Sequence, residues 1–365
     1  MGNCIENHGG NIYNAAKLYG MKKEDILDYS ANINPLGLPP GLKGLLVGEI
    51  DNLVNYPDPW CSTLRERIAE YVDITTDSVI VGNGASEVIL LLLEMLKPKK
   101  VLIPAPSFSE YARAAYRSGI GVEYLPMKEE NGFMPDLPEI KKRLDNCSCD
   151  AVFICNPNNP TSVLLNISEL TSLVEFASVK GANIIIDEAF IELTPGGNSN
   201  SMVRAVKEYP NLFIVRAFTK LFAIPGLRLG YGIGNSRLVK GMWETKLPWS
   251  VNSFACSMGE LLSGEKEYLM ETARWIEVEL KWFYNELSAI PGLKVFEPST
   301  NFVLVKLEGF SLDSGELCEK MAKRGILLRD ASNFAFLDKR FFRAAVKDRQ
   351  NNLRFLKVLK EVLGV

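Results

Sequence analysis

From residue 79 to about residue 250 the sequence repeats one theme. A short, unbroken run of β-branched and aliphatic residues is followed by a longer stretch with helical spacing. The runs are Val79-Ile80-Val81, Val101-Leu102-Ile103, Ala151-Val152-Phe153-Ile154-Cys155, Ile184-Ile185-Ile186 and Leu212-Phe213-Ile214-Val215. They do not alternate apolar with polar residues, so they read as strands covered on both faces. Glu87 to Leu96 and Ile167 to Lys180 read as helices between them. This pattern predicts an α/β fold with a large, mostly parallel sheet and helices on both sides. Ligands in such sheets sit beyond the carboxyl ends of the strands.

After residue 250 the texture changes. Ser257 to Leu287 has the spacing of one long amphipathic helix, broken by Pro291-Gly292. Strands are expected at Asn301 to Leu307, Ile326 to Arg329 and Phe341 to Val346, and a closing helix at Asn351 to Leu363. Together they make a small α/β domain. The first forty or so residues are rich in Gly, Asn and Pro and read as an arm rather than a core element. The expected division is 1–45 for an arm contributing to the small domain and the active site, 46–255 for the large domain and 256–365 for the small one.

Composition narrows the chemistry. The 365 residues are 47% hydrophobic, ample for a large core. A formal charge of -3 leaves no basic footprint, so nucleic acid is not an expected partner. No apolar run is long enough to cross a bilayer. Met1-Gly2-Asn3-Cys4-Ile5-Glu6 lacks the regions of a signal peptide, and Glu6 stands where a myristoylation pattern wants Ser or Thr. The seven cysteines form no framework, and Cys147-x-Cys149 is too isolated for a zinc site, so no metal is expected and a reducing cytoplasm is. With His8 as the one histidine, histidine clusters are excluded.

The chemistry centres on Ala217-Phe218-Thr219-Lys220, followed eight residues after the lysine by Arg228 in a Pro-Gly-x-Arg-x-Gly turn. That spacing suits pyridoxal 5'-phosphate: Lys220 holds the cofactor aldehyde as a Schiff base, while Thr219 and Arg228 hold its phosphate. Asp187 ends the run Ile184-Ile185-Ile186, where a carboxylate needs a partner such as a protonated pyridine nitrogen; a helix N-cap is the competing role. Gly82-Asn83-Gly84-Ala85-Ser86 precedes a helix whose first amides attract an anion. Asn156-Pro157-Asn158-Asn159-Pro160-Thr161 offers an amide to a phenolic oxygen, or is an ordinary turn. Phe108 is open to stacking on the pyridine ring or to a place in the core.

In this order, the segments resemble the fold-type I pyridoxal phosphate enzymes of the aspartate aminotransferase superfamily, over essentially the whole chain. Within that group the chain resembles the threonine-phosphate decarboxylase family, through His8-Gly9-Gly10-Asn11, Asp28-Tyr29-Ser30-Ala31-Asn32-Ile33-Asn34-Pro35-Leu36-Gly37, Asp187-Glu188-Ala189-Phe190, Pro248-Trp249-Ser250-Val251-Asn252 and the Arg329 to Arg343 segment. The resemblance implies an internal aldimine at Lys220, Asp187 on the pyridine nitrogen, Asn159 on the phenolic oxygen and Phe108 on the ring. It implies phosphate binding by Gly84, Ala85, Ser86, Thr219 and Arg228. Tyr56 would reach the site of a neighbouring subunit, in a homodimer. His8, Asn32, Arg329 and Arg343 map to the substrate side; for His8 a turn role and for Arg329 a surface ion pair are the competing roles. Phe190, Ala217 and Ser162 depart from the superfamily's usual tyrosine, hydroxyl residue and glycine.

The activity so implied is decarboxylation of a small phosphorylated amino acid, L-threonine O-3-phosphate, to (R)-1-amino-2-propanol O-2-phosphate for the cobalamin side chain. The alternatives are a histidinol-phosphate aminotransferase and, more remotely, a non-catalytic regulator that binds the same cofactor.

Overall fold

The computed structural model describes residues 9–262 and 264–365. A short strand, β1 (Leu27–Asp28), comes first. Seven strands follow: β2 (Val79–Asn83), β3 (Lys100–Ala105), β4 (Gly121–Pro126), β5 (Ala151–Cys155), β6 (Asn183–Asp187), β7 (Leu212–Ala217) and β8 (Leu229–Ile233). They form one sheet in the order β2-β8-β7-β6-β5-β3-β4. β3 through β7 run parallel, and β8 is antiparallel to both its neighbours. This is the expected α/β architecture. Its centre is dry: Val152, Ile184, Ile185, Ile186, Leu212 and Ile214 are fully buried. Each such side chain contributes about 1.5–3 kcal/mol of hydrophobic stabilisation.

A second sheet has the order β12-β13-β10-β9, from β9 (Leu293–Val295), β10 (Phe302–Leu307), β12 (Arg329–Asp330) and β13 (Phe341–Ala345). β11 (Ile326–Leu327) pairs instead with β1, so the single strand expected from Ile326 to Arg329 is divided between two sheets. Packed against this layer are the helices Lys266–Ser288, Ser314–Ala322 and Arg349–Leu363, around a core of Ile276, Leu280, Phe283, Val303, Val305, Phe342 and Phe355.

Two expectations are corrected. The long helix from Ser257 to Leu287 is two helices, Ser253–Leu262 and Lys266–Ser288, with the Gly264 amide closing the first onto Leu261 O at 2.9 Å. The halves serve different cores: Ala255, Met258 and Leu262 pack with the large sheet, Ile276, Leu280 and Phe283 with the small one. The N-terminal stretch also reaches the core. Tyr29 is fully buried, stacks on Phe355 at 4.3 Å and donates its hydroxyl to Asn352 Oδ1 at 2.8 Å.

Candidate active site

The carboxyl ends of β5, β6 and β7 open onto a cavity of about 490 Å³. The topology brings Gly84, Ala85, Ser86, Phe108, Asn159, Asp187, Thr219, Lys220 and Arg228 to its wall from five separate segments, and Asn32, Arg329 and Arg343 to the same space. Tyr56 stands elsewhere. It is 80% exposed and packs on Trp249 at 4.7 Å. His8 lies outside the described residues; Gly9 lines the cavity.

Lys220 sits in the short helix Phe218–Leu221 that follows β7 directly. Burial, reinforced by the positive charges of Arg343 and Arg228, pushes its amine down from 10.5 to about 8. Asp187 ends β6 and is buried. Tyr111 donates its hydroxyl to Oδ2 at 2.7 Å, and the Ala189 amide donates to Oδ1 at 2.9 Å. Burial raises the carboxyl's pKa, while those two donors and Lys220 pull it back down. Each oxygen keeps a lone pair for a cationic N–H.

Gly84 precedes the helix Ala85–Leu96 with φ at +78°, and a Cβ there would lie 2.5 Å from Arg228 Nη2. The guanidinium therefore lies close over the glycine, at the end of a helix whose first amides have no partner within the helix. A dianion is the ligand that suits such a cradle.

On the opposite wall Arg343 donates Nη1 to Asn159 Oδ1 at 2.5 Å and Nη2 to Ser30 O at 2.7 Å. Its Nε and the Oδ1 of Asn32 are buried without a hydrogen-bond partner among the described residues. Burial, and then the charge of Arg329, lowers the Arg343 guanidinium to about 9. Arg329 is buried too. It donates to Asn333 Oδ1 at 2.8 Å and lies over the Phe334 ring at 5.1 Å. Two buried guanidinium groups on paired strands give this wall a positive charge that suits an anionic ligand.

Tyr111 escaped sequence reasoning. Its spacing three residues after Phe108 was visible, but its hydrogen bond spans 76 residues to Asp187. Gly9, Ser30 and Phe334 were likewise not identified as lining residues. Phe190 lines the cavity without a hydroxyl and packs edge-on against Phe302. Ala217 adds no hydroxyl either.

This wall fits pyridoxal 5'-phosphate. The cradle at Gly84 and Arg228 matches its phosphate, Asp187 its ring nitrogen, and the amine of Lys220 its aldehyde. Among the described residues no group of three His, Cys, Asp or Glu side chains could hold a metal ion.

Comparison with known proteins agrees with the geometry. A candidate threonine-phosphate decarboxylase from Caldanaerobacter subterraneus is 41% identical over 97% of this chain and 93% of its own length. The threonine-phosphate decarboxylase of Salmonella typhimurium is 33% identical over 98% and 96%. The crystal structure of the histidinol-phosphate aminotransferase from Clostridium acetobutylicum superposes with a TM-score of 0.87 at 38% identity, over 93% of this chain and 99% of that one. The pattern described as aminotransferase class I and II matches residues 24–359. A chain matched over so much of its length, with a pyridoxal phosphate cradle at its strand ends, belongs to the class I and II aminotransferase family.

Proposed function

We propose that this protein decarboxylates L-threonine O-3-phosphate, releasing carbon dioxide and (R)-1-amino-2-propanol O-2-phosphate, a precursor of the cobalamin side chain. The observation that carries this reading is the buried pair Arg329 and Arg343 in the same cavity as Lys220, with Arg343 Nε and Asn32 Oδ1 unpartnered among the described residues. Such a wall suits a phosphorylated substrate. The names of the two decarboxylase relatives, at 41% and 33% identity, point the same way.

Bound at this wall, pyridoxal phosphate supplies an electron sink for the pair left on the substrate α-carbon when one of its bonds breaks. The protein's residues do the rest. Asp187, whose carboxyl accepts from Tyr111 and the Ala189 amide, would face the cofactor's ring nitrogen and favour a proton there. Arg228 and the amides of Ala85 and Ser86 would hold the cofactor phosphate, and Phe108 would pack on the ring. Arg329, Arg343 and Asn32 would hold the substrate phosphate, with His8 assigned to the same side, which would leave the substrate carboxylate free to be the group lost. The Lys220 amine would carry a proton to the α-carbon.

A homodimer completes the reading. Val47, Ile50, Leu53, Val54, Tyr56 and Trp60 are all more than half exposed along one stretch of chain, and Leu247 and Trp249 add to the exposed apolar surface. Surface of this kind suits a second subunit. Tyr56 would extend from it to the neighbour's phosphate. No helix among the described residues is long and apolar enough to cross a membrane, and we place the enzyme in the cytoplasm.

A second reading, histidinol-phosphate aminotransferase, is favoured by the 38% identity to a solved structure of that name. The test is turnover. Threonine phosphate should release carbon dioxide and the amino alcohol phosphate without an amino acceptor. Acceptor-dependent consumption of histidinol phosphate, with no gas released, would replace the first reading with the second.

A further inference from the structure

Ser162 holds φ at +63°, in the left-handed region where glycine is the usual residue. Its side chain is fully buried. The strain is offset by hydrogen bonds. Ser162 Oγ accepts from the amides of both Ser299, at 2.9 Å, and Thr300, at 3.0 Å. The Ser299 hydroxyl donates to Ser162 O in return. On its other side the Ser162 amide donates to Asn158 O at 2.6 Å, and the Asn158 side chain donates to Pro106 O at 3.0 Å. The Ser299 amide also reaches Ser162 O at 3.2 Å, so the loop that carries Asn159 is fastened to the segment leading into β10 through both the hydroxyl and the carbonyl of Ser162, and the hydroxyl alone holds the Thr300 amide.

That segment reaches the other wall of the cavity. Asn301 donates its side-chain amide to Asn32 O at 3.2 Å. Phe302 begins β10, in which Leu304 stands opposite Arg343 of β13. Thr300 is fully buried and ties its hydroxyl to Leu193 O at 3.0 Å. Two successive amides converge on one hydroxyl oxygen, and a glycine at 162 would keep the carbonyl for Ser299 but leave the Thr300 amide without this acceptor.

We propose that Ser162 is a positioning residue: its hydroxyl sets the register between the Asn159 loop and the β10–β13 pair, and so sets how Arg343 meets the substrate anion. The functional half of this inference rests on the reaction proposed above; the structural half does not.

The test uses Ser162→Gly and Ser162→Ala in the full chain. Strain relief and loss of the fastening act in opposite directions in the glycine variant, which separates them. Amide hydrogen exchange at Thr300, measured without substrate, should speed up about tenfold in both variants. KM for threonine phosphate should rise about tenfold with a smaller change in kcat, while bound cofactor and its absorption band stay at the level of the unaltered protein. Unchanged protection of Thr300 would overturn the inference, as would a glycine variant that melts higher and keeps its KM. The exchange measurement decides the fastening even if threonine phosphate is not the substrate. Unchanged exchange beside normal gas release would sink this inference alone.

Discussion

Arg343 and Asn159 meet across the cavity, the guanidinium donating to the amide oxygen at 2.5 Å. One residue comes from β13 of the small sheet, the other from the loop after β5 of the large sheet. The contact leaves Arg343 Nε buried without a hydrogen-bond partner among the described residues. Arg343→Lys keeps the charge but loses the planar fork. Its KM for a phosphorylated substrate should rise by about 10- to 100-fold with cofactor still bound, read from steady-state kinetics on threonine phosphate. An unchanged KM would remove Arg343 from the substrate side.

Lys220 should take up the cofactor at a pH where an ordinary lysine would not. With its amine at about 8, about a tenth of it is neutral at pH 7, against about three in ten thousand at the ordinary value. The neutral amine is the nucleophile, so the rate at which cofactor-free protein captures pyridoxal phosphate should climb with pH and level off above about 8. A rate still climbing steeply past pH 9 would mean that burial does not lower this amine. The same shift bears on stability. The folded chain holds fewer protons than the unfolded one between about 8 and 10.5, so Lys220 contributes a stability that rises with pH in that window.

Tyr111 is held in place by stacking on Phe153 at 4.9 Å, and its hydroxyl restrains the rise in the Asp187 pKa caused by burial. In Tyr111→Phe that restraint is gone and the carboxyl moves further up. The acid limb of the kcat profile should therefore shift to higher pH, and stability should drop by about 1–3 kcal/mol in denaturant melts. An unshifted limb would show that Tyr111 acts only as packing.

The apolar stretch around Tyr56 gives a fourth expectation. Val54 is 88% exposed, so Val54→Asp costs a lone subunit nothing in its core. It should move the protein from dimer toward monomer in sedimentation velocity. Cofactor affinity should fall with it, because Tyr56 would no longer reach a neighbouring phosphate. A dimer that survives Val54→Asp would place the interface elsewhere.

Strands β2, β3, β5, β6 and β7 were legible because burial leaves a plain signature: Ile184-Ile185-Ile186 has no polar face to confuse it; β4, a half-exposed edge strand, and β8, interrupted by Gly230 and Gly232, were not read. Lys220, Asp187 and Arg228 were legible because each sits at a strand end or turn with a fixed spacing. The break between Leu262 and Lys266 was not, since both helices carry the same period and differ in which core they face. Tyr29 was missed for a related reason. A short Gly- and Asn-rich stretch looks like an arm even where one aromatic in it is fully buried. Ser162 stood out as a departure from glycine, but the amides that explain it lie 137 and 138 residues away.

The most direct measurement is borohydride reduction of the purified protein with bound cofactor, followed by digestion and peptide mass mapping. The pyridoxyl adduct is expected on Lys220 alone, and Lys220→Ala should show neither the adduct nor the yellow absorption of the unaltered protein. An adduct on another lysine, or an undiminished absorption band in Lys220→Ala, would contradict the assignment of this cavity as the catalytic site.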